Sequence, residues 1–188
     1  MRQQPFPDFQ VILVPGLHGS GAGHWQTRWQ AAHPDFYRVD QDDWSNPDLP
    51  AWAAKVDQVR ALDPRPALLV AHSFGCLASM VSIAANPRGV AGAFLAAPAD
   101  PEKFGVAAML PVRAIDCPSV LISSRDDPWM RPDHAALWAR RWGSVHVDAG
   151  ALGHINAESG LGDWQFGQKA LQLLYERAHN ERPALSAS

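Results

Sequence analysis

Short runs of apolar residues recur along the chain, each bounded by Gly, Pro or Asp. Five are clear, at residues 11–14, 68–71, 90–96, 120–123 and 145–147, and a weaker sixth covers 36–39. Strands that are apolar on both faces are typical of a parallel sheet covered by helices on both sides. The pattern therefore predicts a mostly parallel sheet of about six strands.

Between these runs, apolar residues return with helical spacing. In the segment 75–85, for example, Leu77, Met80 and Ala84 fall on one face. Strands that alternate with helices predict an α/β protein, built as a three-layer α/β/α sandwich. The longest irregular connection, 98–118, contains four prolines and is the candidate for a small flap over a site.

Composition favours one globular domain. The chain has 188 residues, of which 47% are hydrophobic and 19% charged, and these values are ordinary for a folded globular protein. A chain of this length buries roughly 70% of its unfolded surface in a single core. We expect one domain over residues 1–188, with loose tails at 1–8 and 181–188.

The charge pattern argues against nucleic acid as a partner, since the net charge is −3 and Lys and Arg are dispersed. No apolar run approaches the length of a membrane span, and the first ten residues do not resemble a secretory signal. We therefore expect a cytoplasmic protein with no membrane partner. Cys76 and Cys117 lack metal-ligand spacing, so we expect reduced thiols and no metal.

The stretch VAHSFGC, residues 70–76, is the main chemical signal. Ser73 directly follows one predicted strand and precedes a predicted helix, as in the nucleophile elbow G-x-S-x-G. Ala71 stands where the first glycine of that motif would be and adds only a methyl group. The alternative is that Ser73 is merely the N-cap of the helix.

A nucleophilic serine needs a histidine base, and the base needs an acid that orients it. In α/β-hydrolases the three residues come in the order Ser, Asp, His, each after a strand. His154 follows the last predicted strand, whereas the other seven histidines are poorly placed as a base. Because parallel strands end at one edge of the sheet, we expect His154 to meet Ser73 there.

Two aspartates compete for the role of the acid, since Asp126 and Asp127 both follow the strand 120–123. Spacing alone does not separate them. We favour Asp127, because the following Pro128 fixes the turn.

The glycine-rich loop 15–21 follows the first strand and matches the loop that supplies one oxyanion-hole amide in α/β-hydrolases. We assign that hole to the backbone N–H groups of Leu17 and Phe74. His18, in this loop, and Trp129, after the acid turn, are the candidates for the substrate pocket. A phosphate-binding loop is the rival interpretation, but the loop lacks the lysine that such a loop needs.

With these pieces placed, the chain resembles the retinoblastoma-binding protein nine/YdeN family of small serine hydrolases, within the α/β-hydrolase superfamily. The matching stretches are residues 14–16, 19–21, 24–26, 72–76, 97–100, 123–128, 153–156 and 159–164. The resemblance implies a compact hydrolase fold with little or no cap domain, no cofactor, and a Ser73–Asp127–His154 triad. It also supports Asp127 over Asp126, since the acid of this family precedes a proline.

We therefore expect a serine hydrolase that cleaves small or medium, uncharged carboxyl esters through an acyl-enzyme intermediate. One alternative is a binding protein on a hydrolase scaffold with weak activity. Another is an acyltransferase or peptidase that uses the same three side chains.

Overall fold

The computed structural model describes residues 6–181. Residues 1–5 and 182–188, which make up most of the two predicted tails, lie outside the described residues. Phe6 is only 9% exposed and its ring packs against Phe36 and Tyr175. Phe6 is therefore part of the packed core, whereas the sequence predicted a loose tail as far as residue 8.

In the part of the chain that the structure describes, six strands form one sheet, and every neighbouring pair is parallel. They are β1 (Gln10–Val14), β2 (Tyr37–Arg38), β3 (Ala67–His72), β4 (Val90–Ala96), β5 (Ser119–Ser123) and β6 (Val145–Asp148). The order across the sheet is β2-β1-β3-β4-β5-β6. This confirms the predicted parallel sheet, although the weak run 36–39 gives only the two-residue β2, which pairs with a single neighbour.

Within residues 6–181, five α-helices cover the sheet: α1 (Trp25–Ala32), α2 (Leu49–Arg60), α3 (Phe74–Ala85), α4 (Pro132–Trp142) and α5 (Gln165–Asn180). Alternate residues of the central strands face opposite sides. In β3, Leu69 and Ala71 pack with α2, α3 and α4, whereas Leu68 and Val70 pack with α1 and α5. The result is the predicted three-layer sandwich, with one hydrophobic core on each face.

Because the strands are parallel, their carboxyl ends and the loops that follow them share one edge of the sheet. The connection from β4 to β5, residues 97–118, consists of turns and the short 3-10 helix Ala107–Met109. It contains no cap domain, so this edge stays open.

No helix within residues 6–181 is long and apolar enough to cross a membrane.

Candidate active site

Ser73 lies in a strained turn between β3 and α3. Its backbone has φ 54° and ψ −125°, a left-handed conformation that non-glycine residues rarely adopt. The Ser73 side chain makes no capping hydrogen bond to α3, so the interpretation as a simple N-cap is wrong. The turn has the form expected of a nucleophile elbow, in which local strain presents the hydroxyl above the sheet edge.

Two glycines let the loop after β1 approach this turn closely. A Cβ atom added to Gly75 would lie 2.4 Å from the carbonyl oxygens of both Val14 and Pro15. One added to Gly16 would lie 2.6 Å from the Cβ of Ser73. Any side chain at either position would push the glycine-rich loop away from Ser73.

A chain of hydrogen bonds links the three predicted side chains. The His154 Nε2 atom lies 2.8 Å from the Ser73 hydroxyl, and the Nδ1 atom lies 2.9 Å from each carboxylate oxygen of Asp127. The Asp127 side chain is only 1% exposed and that of His154 10%. Since a carboxylate can only accept, Nδ1 carries the proton, and Nε2 is left to accept the hydrogen bond that Ser73 donates.

The neighbouring Asp126 has a different environment and does not contact the imidazole. One of its oxygens accepts hydrogen bonds from the Ser124 hydroxyl and the Gly153 amide, both at 2.8 Å. Both bonds lower the pKa of Asp126, and the bond from Ser124 has the larger effect. Asp126 therefore ties the loop after β5 to the loop that carries His154.

Two further side chains hold the backbone of the His154 loop, and sequence reasoning assigned neither of them to it. The ring of His72 donates from Nε2 to the His154 carbonyl at 2.8 Å, and the Trp25 indole donates to the Ile155 carbonyl at 2.9 Å. Ile155 is fully buried with φ 48°, which is unfavourable for a β-branched residue. These donors thus stabilise a strained backbone directly beside the imidazole.

Two buried histidines beside Ser73, His24 and His72, are held in the neutral form. His24, the N-cap of α1, accepts the Gln26 amide at Nδ1, and burial, Arg38 and His154 together lower its pKa to about 3. Burial, followed by the nearby His24 and His154, also keeps the pKa of His72 well below its usual value. His24 and His72 therefore add no imidazolium charge beside His154 near neutral pH.

A cavity of about 210 Å³ opens beside the Ser73 hydroxyl. Its lining consists of Leu17, His18, Gly19, His24, His72, Ser73, Phe104, Trp129, His154 and Asn156. The structure thus brings both predicted pocket residues, His18 and Trp129, to the cavity. It adds Phe104 from the proline-rich connection, which no sequence motif marked.

Two other kinds of reactive site, a metal centre and a cysteine nucleophile, were sought within residues 6–181. These residues contain no group of three or more His, Cys, Asp or Glu side chains that could hold a metal ion. Burial raises the pKa of the Cys76 thiol well above its usual value, and that of Cys117 to about 12. Neither thiol is poised to act as a nucleophile.

Comparisons with known proteins show which family the chain is similar to. A sequence model of the serine hydrolase family matches residues 11–173. A structure described as a YdeN-like hydrolase from Pectobacterium atrosepticum is 34% identical, with a TM-score of 0.88 and 95% of each chain covered. No curated protein is significantly similar in sequence.

More distant structures share the fold. The ydeN gene product of B. subtilis has a TM-score of 0.69 at 16% identity, covering 89% of this chain and 99% of that one. The esterase RhEst1 from Rhodococcus sp. ECU1013 has a TM-score of 0.65 at 14% identity, covering 91% and 92%. The resemblance to YdeN-like hydrolases that the sequence motifs predicted is thereby confirmed.

Proposed function

Because this chain belongs to the serine hydrolase family, we propose that it hydrolyses small or medium, uncharged carboxyl esters through an acyl-enzyme on Ser73. The observation that carries the proposal is the hydrogen-bonded chain from Ser73 through His154 to the buried Asp127. In such a chain the base removes the hydroxyl proton as the oxygen attacks, and the acid stabilises the imidazolium that forms.

Acylation begins when the Ser73 oxygen attacks the ester carbonyl and its proton passes to Nε2 of His154. The tetrahedral intermediate then collapses, the ester C–O bond breaks, and His154 returns that proton to the leaving alcohol. The acyl group remains bound to Ser73. In the second half, His154 takes a proton from water, water attacks the acyl carbon, and Ser73 regains its proton as the acid departs.

The negative oxygen of each tetrahedral intermediate would accept hydrogen bonds from the amides of Leu17 and Phe74. Phe74 is the first residue of α3, so its N–H points out of the helix with no acceptor inside it. Leu17 lines the cavity, in the loop that packs against the elbow at Gly16. The loop that carries Leu17 is held by hydrogen bonds from the His18 amide to the Trp44 carbonyl at 2.9 Å and from the Gly19 amide to the Gly16 carbonyl at 3.0 Å.

The cavity supports an uncharged substrate of modest size. No Lys, Arg, Asp or Glu side chain is among its lining residues, and His24 and His72 are held neutral by burial. A charged group would lose its hydration there without gaining a partner. The open edge of the sheet gives direct access from solvent.

The test combines a fluorophosphonate probe, a short p-nitrophenyl ester and two variants. Native protein and C76A should be labelled and active, because the Cys76 thiol is buried and protonated. S73A should lose both labelling and turnover. If native protein is neither labelled nor active, a binding protein on a hydrolase scaffold is the better interpretation. A parallel assay with amide substrates and acceptor alcohols separates hydrolysis of esters from peptidase and acyltransferase action.

A further inference from the structure

Aromatic rings lead from the nucleophile to the rim of the cavity. Phe74, directly after Ser73, packs against Phe104 with ring centroids 5.1 Å apart, and Phe104 stacks on Trp129 at 6.2 Å with 29° between the planes. The Trp129 ring in turn lies 6.3 Å from that of His154. Phe104 and Trp129, which both line the cavity, therefore form one aromatic wall, with the buried Phe74 behind it.

The Trp129 ring lies at the mouth of the cavity and is not part of the buried core. Its backbone is fixed on both sides, since its N–H donates to Asp127 at 2.9 Å and its carbonyl accepts from the Asp100 amide at 3.2 Å. Although its backbone is fixed, Trp129 is 48% exposed to solvent. A large aromatic side chain that is half exposed at the mouth of a reactive cavity is available for contact with a bound substrate.

Phe104 is also presented from a fixed position, although the connection that carries it lacks regular structure. The Asp100 carboxylate, with its side chain only 3% exposed, accepts the Glu102 amide at 3.1 Å and contacts Nδ1 of His134 on α4 at 2.9 Å. The Val106 amide closes the same turn on the Pro101 carbonyl at 3.0 Å. This wall is therefore in place before a ligand arrives.

We propose that Phe104 and Trp129 form the binding surface for an aromatic ring of the substrate, so that the enzyme prefers aryl-bearing, uncharged esters over aliphatic ones. The inference rests on the proposed ester hydrolysis and specifies its substrate class. A planar ring can stack on or meet the edge of these two rings, and such contacts are worth more than the burial of apolar area alone. An aliphatic ring of the same size is stabilised only by the burial of its apolar area.

The test uses two pairs of esters that are matched in size. Because an aryl group also raises the intrinsic reactivity of an ester, each kcat/KM is divided by the rate constant for alkaline hydrolysis of the same ester. Ethyl phenylacetate is compared with ethyl cyclohexylacetate for the acyl side, and benzyl acetate with cyclohexylmethyl acetate for the alcohol side. In native protein we expect kcat/KM to favour the aromatic member of at least one pair by about 2- to 10-fold, the range set by aromatic pair energies. W129L and F104L should each abolish most of that preference.

F166L is the matched control, because Phe166 on α5 is also 48% exposed but does not line the cavity. It should keep the native preference. Equal rates within both pairs in native protein, or a preference that survives both wall variants, would overturn the inference while leaving ester hydrolysis intact. Absence of hydrolysis and of fluorophosphonate labelling would instead refute the proposed function, and this inference with it.

Discussion

Replacing Trp25 with phenylalanine tests how the strained His154 loop is held. The substitution keeps an aromatic ring on α1 but removes the N–H that donates to the Ile155 carbonyl at 2.9 Å. That carbonyl belongs to a fully buried residue with φ 48°. In W25F an acceptor is left inside the core next to backbone that is already strained.

The magnitude follows from the unsatisfied acceptor, and the strain gives the loop a reason to move. An unsatisfied buried acceptor costs about 1–3 kcal/mol, and backbone strain of this kind stores about as much. The loop can relieve both only by moving Ile155, which shifts the adjacent imidazole away from Ser73. If the cost of the unsatisfied acceptor, about 1–3 kcal/mol, appears entirely as misplacement of the base, kcat falls by about 5- to 150-fold, because each factor of ten corresponds to 1.36 kcal/mol.

The matched control is W142F. Trp142 is equally buried and its indole donates to the Pro111 carbonyl at 3.0 Å, but it lies on α4 and does not line the cavity. Both variants should lose unfolding free energy in urea denaturation, whereas only W25F should lose kcat on a p-nitrophenyl ester, with KM little changed. Equal losses of kcat in both variants, or none in W25F, would refute this role of Trp25.

The remaining predictions concern the two aspartates and His24. D127N should lower kcat by about three to four orders of magnitude, because the neutral amide no longer fixes the tautomer of the imidazole, while D126N should lose far less; equal losses would reverse that assignment. For His24, the folded-state pKa of about 3 lies below its ordinary 6.5, so the unfolded chain binds the extra proton and unfolding becomes easier as pH falls from 6.5 towards 3. H24N, which can still cap α1, should flatten the plot of unfolding free energy against pH by up to about 1.4 kcal/mol per pH unit within that window, and an unchanged slope would contradict the low pKa.

The strands and the elbow could be predicted because their signals are local. Each central strand is a nearly continuous apolar run, and Ser73 is marked by the small residues on both sides of it. The positions of His154 and the aspartates followed from one topological rule, that parallel strands end at the same edge. The edge strand β2 was overestimated, because only its two central residues pair with β1.

The supporting contacts could not be predicted, because they join residues that are far apart in the sequence. Trp25 reaches Ile155 across 130 residues, and His72 reaches the backbone of His154 across 82. Neither bond has a sequence pattern, since each depends on how α1 and β3 pack against the last loop. Phe104 was missed for a similar reason, because its place at the cavity depends on a turn organised by the buried Asp100.

The most direct test of the account is to find where the acyl group resides during turnover. Native protein mixed with excess p-nitrophenyl ester and quenched in acid should release an initial burst of p-nitrophenol close to the enzyme concentration. Peptide mass spectrometry should then place one acyl group on Ser73, and S73A should show neither the burst nor the acyl peptide. An acyl group on a different residue, or steady turnover by S73A, would contradict the account.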